Sequence, residues 1–262
     1  MKKSVVVAAA ALAALVGGVS IAAASGETAS VNYNVKGKFS KKEYKPAKLS
    51  FGVKVSTSAV QILPMKLADM KFPPKSTMTF MPKKGLPVCK ATETQLSVSP
   101  AAAYAACGKS AIGMGLATFA LAQNTGAARD GTVVVFYGGK VGGNVKIRFS
   151  AWSDQTNAGV YAEGILKSNG TMQIEMPRLT ADSSVTSLNI EIPGRNANGD
   201  YGGVGSYSLK KGLDAGFVRV KCRQGQTLNF SSKFELGARS DTGAPIGPTT
   251  NLTAASSSKC GS

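Results

Sequence analysis

A chain of 262 residues with 43% hydrophobic and 17% charged residues has the balance of a folded protein and excludes a disordered one. It contains no histidine, which removes the commonest general base, the usual Ser/His/Asp and Cys/His triads and most catalytic zinc sites. The formal charge is +17, and Lys2 and Lys3 supply two of those units, so +15 remains beyond the amino-terminal segment; such a surface attracts polyanions without choosing among them.

The amino terminus reads as a secretory signal peptide over residues 1–24. Met1-Lys2-Lys3 is a cationic start, residues 5–21 are an apolar run broken only by one Ser, and Ala22-Ala23-Ala24 is a small-residue cleavage pattern, which predicts a mature start near Ser25. The apolar run is close to the length of a membrane span, but its Ala and Gly content gains little from hydrocarbon, so no stable membrane anchor is expected after cleavage. Residues 25–30 form a small polar leader.

From Val31 the pattern has period two: Val31, Tyr33, Val35 and Phe39 alternate with Asn, Lys and Ser, as a strand with one wet face requires. Comparable stretches occupy residues 49–55, 133–137, 145–152, 172–176, 188–192, 217–221 and 228–236. Gly138-Gly139, Gly142-Gly143, Asn169-Gly170, Asn198-Gly199-Asp200 and Gly202-Gly203 supply turn residues between them. One helix is predicted at residues 100–106, where Ser99 can cap and Pro100 suits the first helical position. The fold class is therefore all-β, an antiparallel β-sandwich of Greek-key or jelly-roll type over residues 31–236, with 124–131 as the fallback domain boundary. Residues 237–262, poor in large apolar side chains, are expected as a low-complexity tail tethered by Cys260. An outer-membrane β-barrel is the architectural rival, and a 7% aromatic content without girdles counts against it.

Cys89, Cys107, Cys222 and Cys260 all follow the leader, and an even number in an exported chain points to disulfides. Three pairings exist; Cys89 with Cys107 closes a short loop and Cys222 with Cys260 ties down the tail, which favours that pair of bridges. None has a second cysteine within four residues, so zinc is disfavoured. The segment Phe72-Pro73, Phe80-Met81-Pro82, Pro87-Val88-Cys89, Cys107-Gly108 and Gly113-Met114-Gly115 resembles a group of secreted, Cys-containing β-rich proteins of high-GC Gram-positive bacteria. The likeness is clearest over residues 70–120 and weaker over the later strands and last two cysteines, departs where Gly108 stands in place of the group's usual Pro, and implies an extracellular β-rich domain without an assigned activity.

No catalytic, cofactor or metal residues stand out. Glu163, Glu175 and Glu191 lie on strands, without spacing that suggests a glycosidase pair across a cleft. Lys109-Ser110 and Ser208-Leu209-Lys210 lack the Ser-x-x-Lys arrangement, and Asn196-Ala197-Asn198-Gly199-Asp200 lacks the distal acid of a calcium loop. The lysines at 36, 38, 41, 42, 45 and 48 and at 71, 75, 83, 84 and 90 have few interleaved aromatics, and Lys rather than Arg predominates; this suits diffuse attraction to anionic wall polymers or glycans rather than specific nucleic-acid binding. Trp152 and Tyr161 could offer a platform for a sugar ring, but a buried core Trp is the favoured reading, since Trp is highly buried on average. The expected function is an exported, non-catalytic structural or binding module of the envelope or extracellular space, with a carbohydrate-binding or carbohydrate-active wall protein as the alternative.

Overall fold

A computed structural model describes residues 19–22, 26–58, 63–82, 85–121, 128–177, 183–193, 216–238, 240 and 246–261. Residues 1–18 and 23–25 of the leader region, the Asn196–Asp200 turn, Gly202-Gly203, Ser208-Leu209-Lys210, Lys83, Lys84 and positions 124–127 lie outside the described residues.

Alternation of buried and outward residues builds many of the strands. β1 (Val19–Ala22) is followed by β2 (Glu27–Gly37) and β3 (Lys45–Thr57), which pair from Glu27 opposite Thr57 to Gly37 opposite Ala47. Their odd-numbered residues, among them Val31, Tyr33, Val35, Leu49, Phe51 and Val53, are buried, and the residues between them face outward. β4 (Met65–Lys71) and β5 (Met78–Phe80) precede two short helices, α1 (Glu93–Leu96) and α2 (Pro100–Cys107). A meander follows: β6 (Ala111–Leu121), β7 (Ala128–Val141), β8 (Asn144–Ser153), β9 (Ala158–Leu166) and β10 (Thr171–Glu175). Gly142 and Gly143, with φ of 55° and 79°, supply the positive-φ pair of the tight turn between β7 and β8. The chain closes with β11 (Ser183–Ile192), β12 (Val218–Val220), β13 (Thr227–Leu236) and β14 (Thr250–Lys259).

These strands form one antiparallel-laddered sheet in the order β11-β6-β7-β8-β9-β10-β4-β13-β14-β1-β2-β3-β12-β5. β11 also pairs with β3, from Ser187 opposite Lys54 to Ile192 opposite Leu49, so the sheet curls until it meets itself and only β12 and β5 branch from the circuit. The all-β class and the short helix are as expected. The two separately bonded layers of a sandwich are replaced by a curled, barrel-like sheet, because the twist of so many strands brings the two ends within bonding distance and closure removes open edges. The outward residues of β13, Asn229, Ser231 and Lys233, are exposed and polar, the reverse of a lipid-facing band. Among the described residues no helix is long and apolar enough to cross a membrane.

Inside, Tyr33 stacks on Phe230 with ring centroids 4.5 Å apart, Phe51 lies beyond it, and Phe72, Phe80 and Phe217 continue the aromatic chain edge to face. The Tyr33 hydroxyl is 2.9 Å from Ser232 Oγ, which satisfies the one polar atom of the stack; burial pushes its ionisation above the ordinary tyrosine range.

Three boundaries differ from the sequence reading. The leader of residues 25–30 is largely the start of β2, since Glu27 to Ser30 pair with Thr57 to Lys54. Gly138-Gly139 is a register shift within β7 between Tyr137 and Lys140, not a turn between strands. The tail is not an appendage either: β14 pairs with β13 from Thr250 opposite Leu236 to Lys259 opposite Thr227. Its small residues fit there because two of its inward positions, Ala254 and Ser258, need little volume, while Leu252 supplies the one large apolar side chain among its buried residues.

Candidate functional site

The predicted disulfides are both present, Cys89 with Cys107 and Cys222 with Cys260, and all four cysteines are buried. Two disulfides fit an oxidising, extracytoplasmic environment. The first bridge fastens α2 over the outer face of β6 to β9. Ser99 caps α2 by accepting from Ala102 N–H, and Thr92 and Gln95 form a reciprocal capping box on α1. Leu96, Ala103, Met114, Val134 and Phe136 pack beneath as a second small core, and Ser150 Oγ donates to Leu96 O at 2.6 Å.

Trp152 and Tyr161 both lie on this outer face, where the register places Trp152 opposite Gly159 and Tyr161 opposite Ser150. Each is half-buried and already engaged. Trp152 Nε1 donates to Asp154 Oδ1 at 2.8 Å. Tyr161 lies under the Arg148 guanidinium, 4.9 Å from ring centroid to carbon, and its hydroxyl accepts from Arg148 Nε and donates to Glu163. Arg148 Nη1 donates to Ala91 O at 2.6 Å and Cys89 O at 3.1 Å, so the guanidinium ties the helical cap to β8 and β9. Burial works to raise the Glu163 carboxyl, but hydrogen bonds from Lys146 and Tyr161 and the charges of Lys146 and Arg148 outweigh it and hold the group below its usual range. Burial and the bond to Glu163 push Tyr161 up, outweighing Arg148. Tyr161 thus joins Arg148 and Glu163 in a strut beneath the cap, Trp152 is bonded to Asp154 instead, and the two rings present no shared open platform.

A different surface forms a polar depression and is the candidate site. On the outer side of β2, β3 and β11, register aligns residues in rows: Ser30, Lys54 and Ser187; then Asn32, Gly52 and Asn189; then Asn34, Ser50 and Glu191. Lys36 lies opposite Lys48 in the next row. Gly52 makes the middle row a dip, and a Cβ there would stand 2.5 Å from Asn189 Oδ1. Two hollows of about 330 and about 500 Å³ share Asn32, Gly52 and Asn189 and join into one trough.

Amides and hydroxyls in this trough offer both donors and acceptors, the mixture that suits a hydroxylated ligand. Lys48 binds Glu191 at 2.8 Å, and Ser50 Oγ donates to the same carboxylate at 3.3 Å. Lys36 and Lys54 are exposed on either side of the dip. At the far end Ser187 Oγ donates to Thr118 Oγ1, which donates to Asp130. Glu191 is therefore engaged in an ion pair, while Glu175 lies exposed on β10 and Glu163 serves the cap strut. The strand alternation carries the signal for each polar residue, but their assembly depends on pairing β3 with β11, distant in sequence. No family model matches the chain, and neither the curated proteins nor the solved structures contain a significant match to it.

Proposed function

We propose that the protein is an exported, non-catalytic binding module of the cell envelope or extracellular space, and that the trough across β2, β3 and β11 holds a hydroxyl-rich, anionic polymer of the envelope. The observation that carries this reading is the row Asn32, Gly52 and Asn189, a dip floored by backbone and walled by two amides, with lysines at either side. Backbone and amide groups recognise hydroxyls, and the lysines add an attraction for negative charge that salt weakens. Lys36 lies directly opposite Lys48, whose ion pair with Glu191 already offsets their repulsion, so the exposed Lys36 and Lys54 supply the attraction for an anion. A carbohydrate-active reading needs two carboxylates across a cleft, whereas the trough lining contributes Glu191, which is paired with Lys48.

The test is titration of the folded protein with a panel of neutral glycans and anionic wall polymers at low and physiological salt. Anionic polymers should bind and weaken steeply with salt. Gly52→Val, which suits a strand but fills the dip, should reduce affinity by roughly tenfold, the equivalent of about 1.4 kcal/mol. Asn229→Ala on the outer face of β13 should leave it unchanged. Equal binding by Gly52→Val and the parent would overturn the assignment of the trough.

A further inference from the structure

The joint between β2 and β14 differs from every other in the curled sheet. β1 is antiparallel to both of these strands, so β2 and β14 run parallel to one another. Towards their later residues they lie side by side without a backbone ladder: Tyr33 N–H donates to Ser256 Oγ at 3.3 Å and Val35 N–H to Ser258 Oγ at 3.0 Å. Towards their earlier residues the two strands part, and β1 fills the opening, with Val19 and Ser20 opposite Ala255 and Ala254, and Ile21 and Ala22 opposite Ala29 and Thr28. The joint is a wedge, closed by serine side chains at one end and by a strand at the other.

β1 belongs to the segment whose sequence reads as a leader ending before Ser25. We propose that the wedge between β2 and β14 is a strand-acceptor site that, once the leader is removed, takes an extended peptide of small and β-branched residues from another polypeptide. Removal of β1 leaves two backbone edges separated by the width of one strand, about 2 × 4.8 Å. Each edge is fixed from behind, β14 by its ladder to β13 and β2 by its ladder to β3. Direct pairing of β2 with β14 at this end would have to disturb one of those ladders. The inward residues flanking the opening, Ala29 opposite Ile21 and Ala254 opposite Ser20, are both buried and small. Recognition is then strand addition on two sides at once: main-chain hydrogen bonds bind, and the small flanking residues select.

This rests on the export proposed above, and amino-terminal sequencing of the test sample separates failure of that premise from failure of the acceptor. The processed protein, collected from a secreting host, is titrated with a synthetic peptide of residues 19–24, and amide exchange is followed with the full-length chain as the filled control. Expected are one-to-one binding by the processed protein, new protection at Ala29, Val31 and Ala255, and no binding by the full-length chain. A peptide carrying Ile21→Pro should bind roughly tenfold more weakly or worse, because Pro removes a ladder donor. Three results would overturn the proposal: no binding with these amides already protected, equal binding by the Pro peptide, or a mature chain that retains residues 19–22. Polymer binding to the trough is measured separately without peptide.

Discussion

Replacement of Cys260 by Ser should destabilise the whole protein, and the structure sets the size of the effect. Cys260 directly follows β14 and bonds to Cys222, two residues beyond the end of β12, closing a separation of 38 residues. Loop-closure entropy for that length corresponds to about 4 kcal/mol. If residues 237–262 were a loose tail, most of this would be spent on local freedom of an appendage. Instead, β14 is laddered to β13 along its whole length, buries Leu252 and Ala254, and contributes Ser256 and Ser258 to the joint with β2. Global stabilities are typically about 5–15 kcal/mol, so a loss near 4 is a large fraction of the total. Urea unfolding followed by Trp152 fluorescence and by far-ultraviolet circular dichroism should show one coincident transition with a markedly lower midpoint. Limited proteolysis below that midpoint should yield no stable core lacking residues 246–261. A variant with the parent midpoint, clipped cleanly between 238 and 250, would refute the placement of β14 as an integral strand.

Arg148→Lys should loosen the helical cap by about 2 kcal/mol, because an ammonium cannot reproduce the fork that reaches Ala91 O, Cys89 O, Tyr161 and Glu163; faster amide exchange at Leu96 and Ala103 with an unchanged rate in β13 is the readout. The same network should depend on pH. Glu163 is held below the ordinary carboxylate range, so its contribution is fully present above the unfolded value of about 4.3 and is lost as pH falls through its lower folded value. Cap exchange should therefore accelerate in acid, and Glu163→Gln should abolish that pH dependence while leaving a weaker cap throughout.

Much of the strand pattern was legible because one buried face imposes period two. Leu228, Phe230, Phe234 and Leu236 alternate with Asn229, Lys233 and Glu235, and the structure buries the first set. The Ser99-Pro100 start of α2 and both bridges were legible for equally local reasons, cap chemistry and loop closure. β4 was hidden because Lys66 is buried between Met65 and Leu67, near Glu235 at 3.8 Å, so its alternation is broken. β14 was hidden because small inward residues make a strand look like a linker. α1 could have been found from Thr92 and Gln95, a capping-box spacing ahead of Leu96. The trough was half legible: Asn32, Asn34, Lys36 and Lys54 are outward positions of recognisable strands, but no local pattern says that Asn189 will stand beside Gly52. That placement follows only from the closure of the sheet.

Outward positions on the two sides of this sheet have opposite fates. Across β8 and β9 the outward residues Arg148, Ser150, Tyr161 and Glu163 bond to the cap or to one another, so their hydrogen-bonding capacity is spent inside the molecule. Across β2, β3 and β11 no helix lies on top among the described residues, and Asn32, Asn189, Lys36 and Lys54 are exposed. Those residue types cost stability in strands relative to β-branched ones, a cost that a purely structural face would avoid with Thr or Val. Gly52 compounds it, since a glycine within a strand weakens the backbone and contributes no side chain to pack. A face that combines strand-weakening residues, aligned amides and exposed lysines fits the proposed contact with an external polymer better than support of the core beneath it.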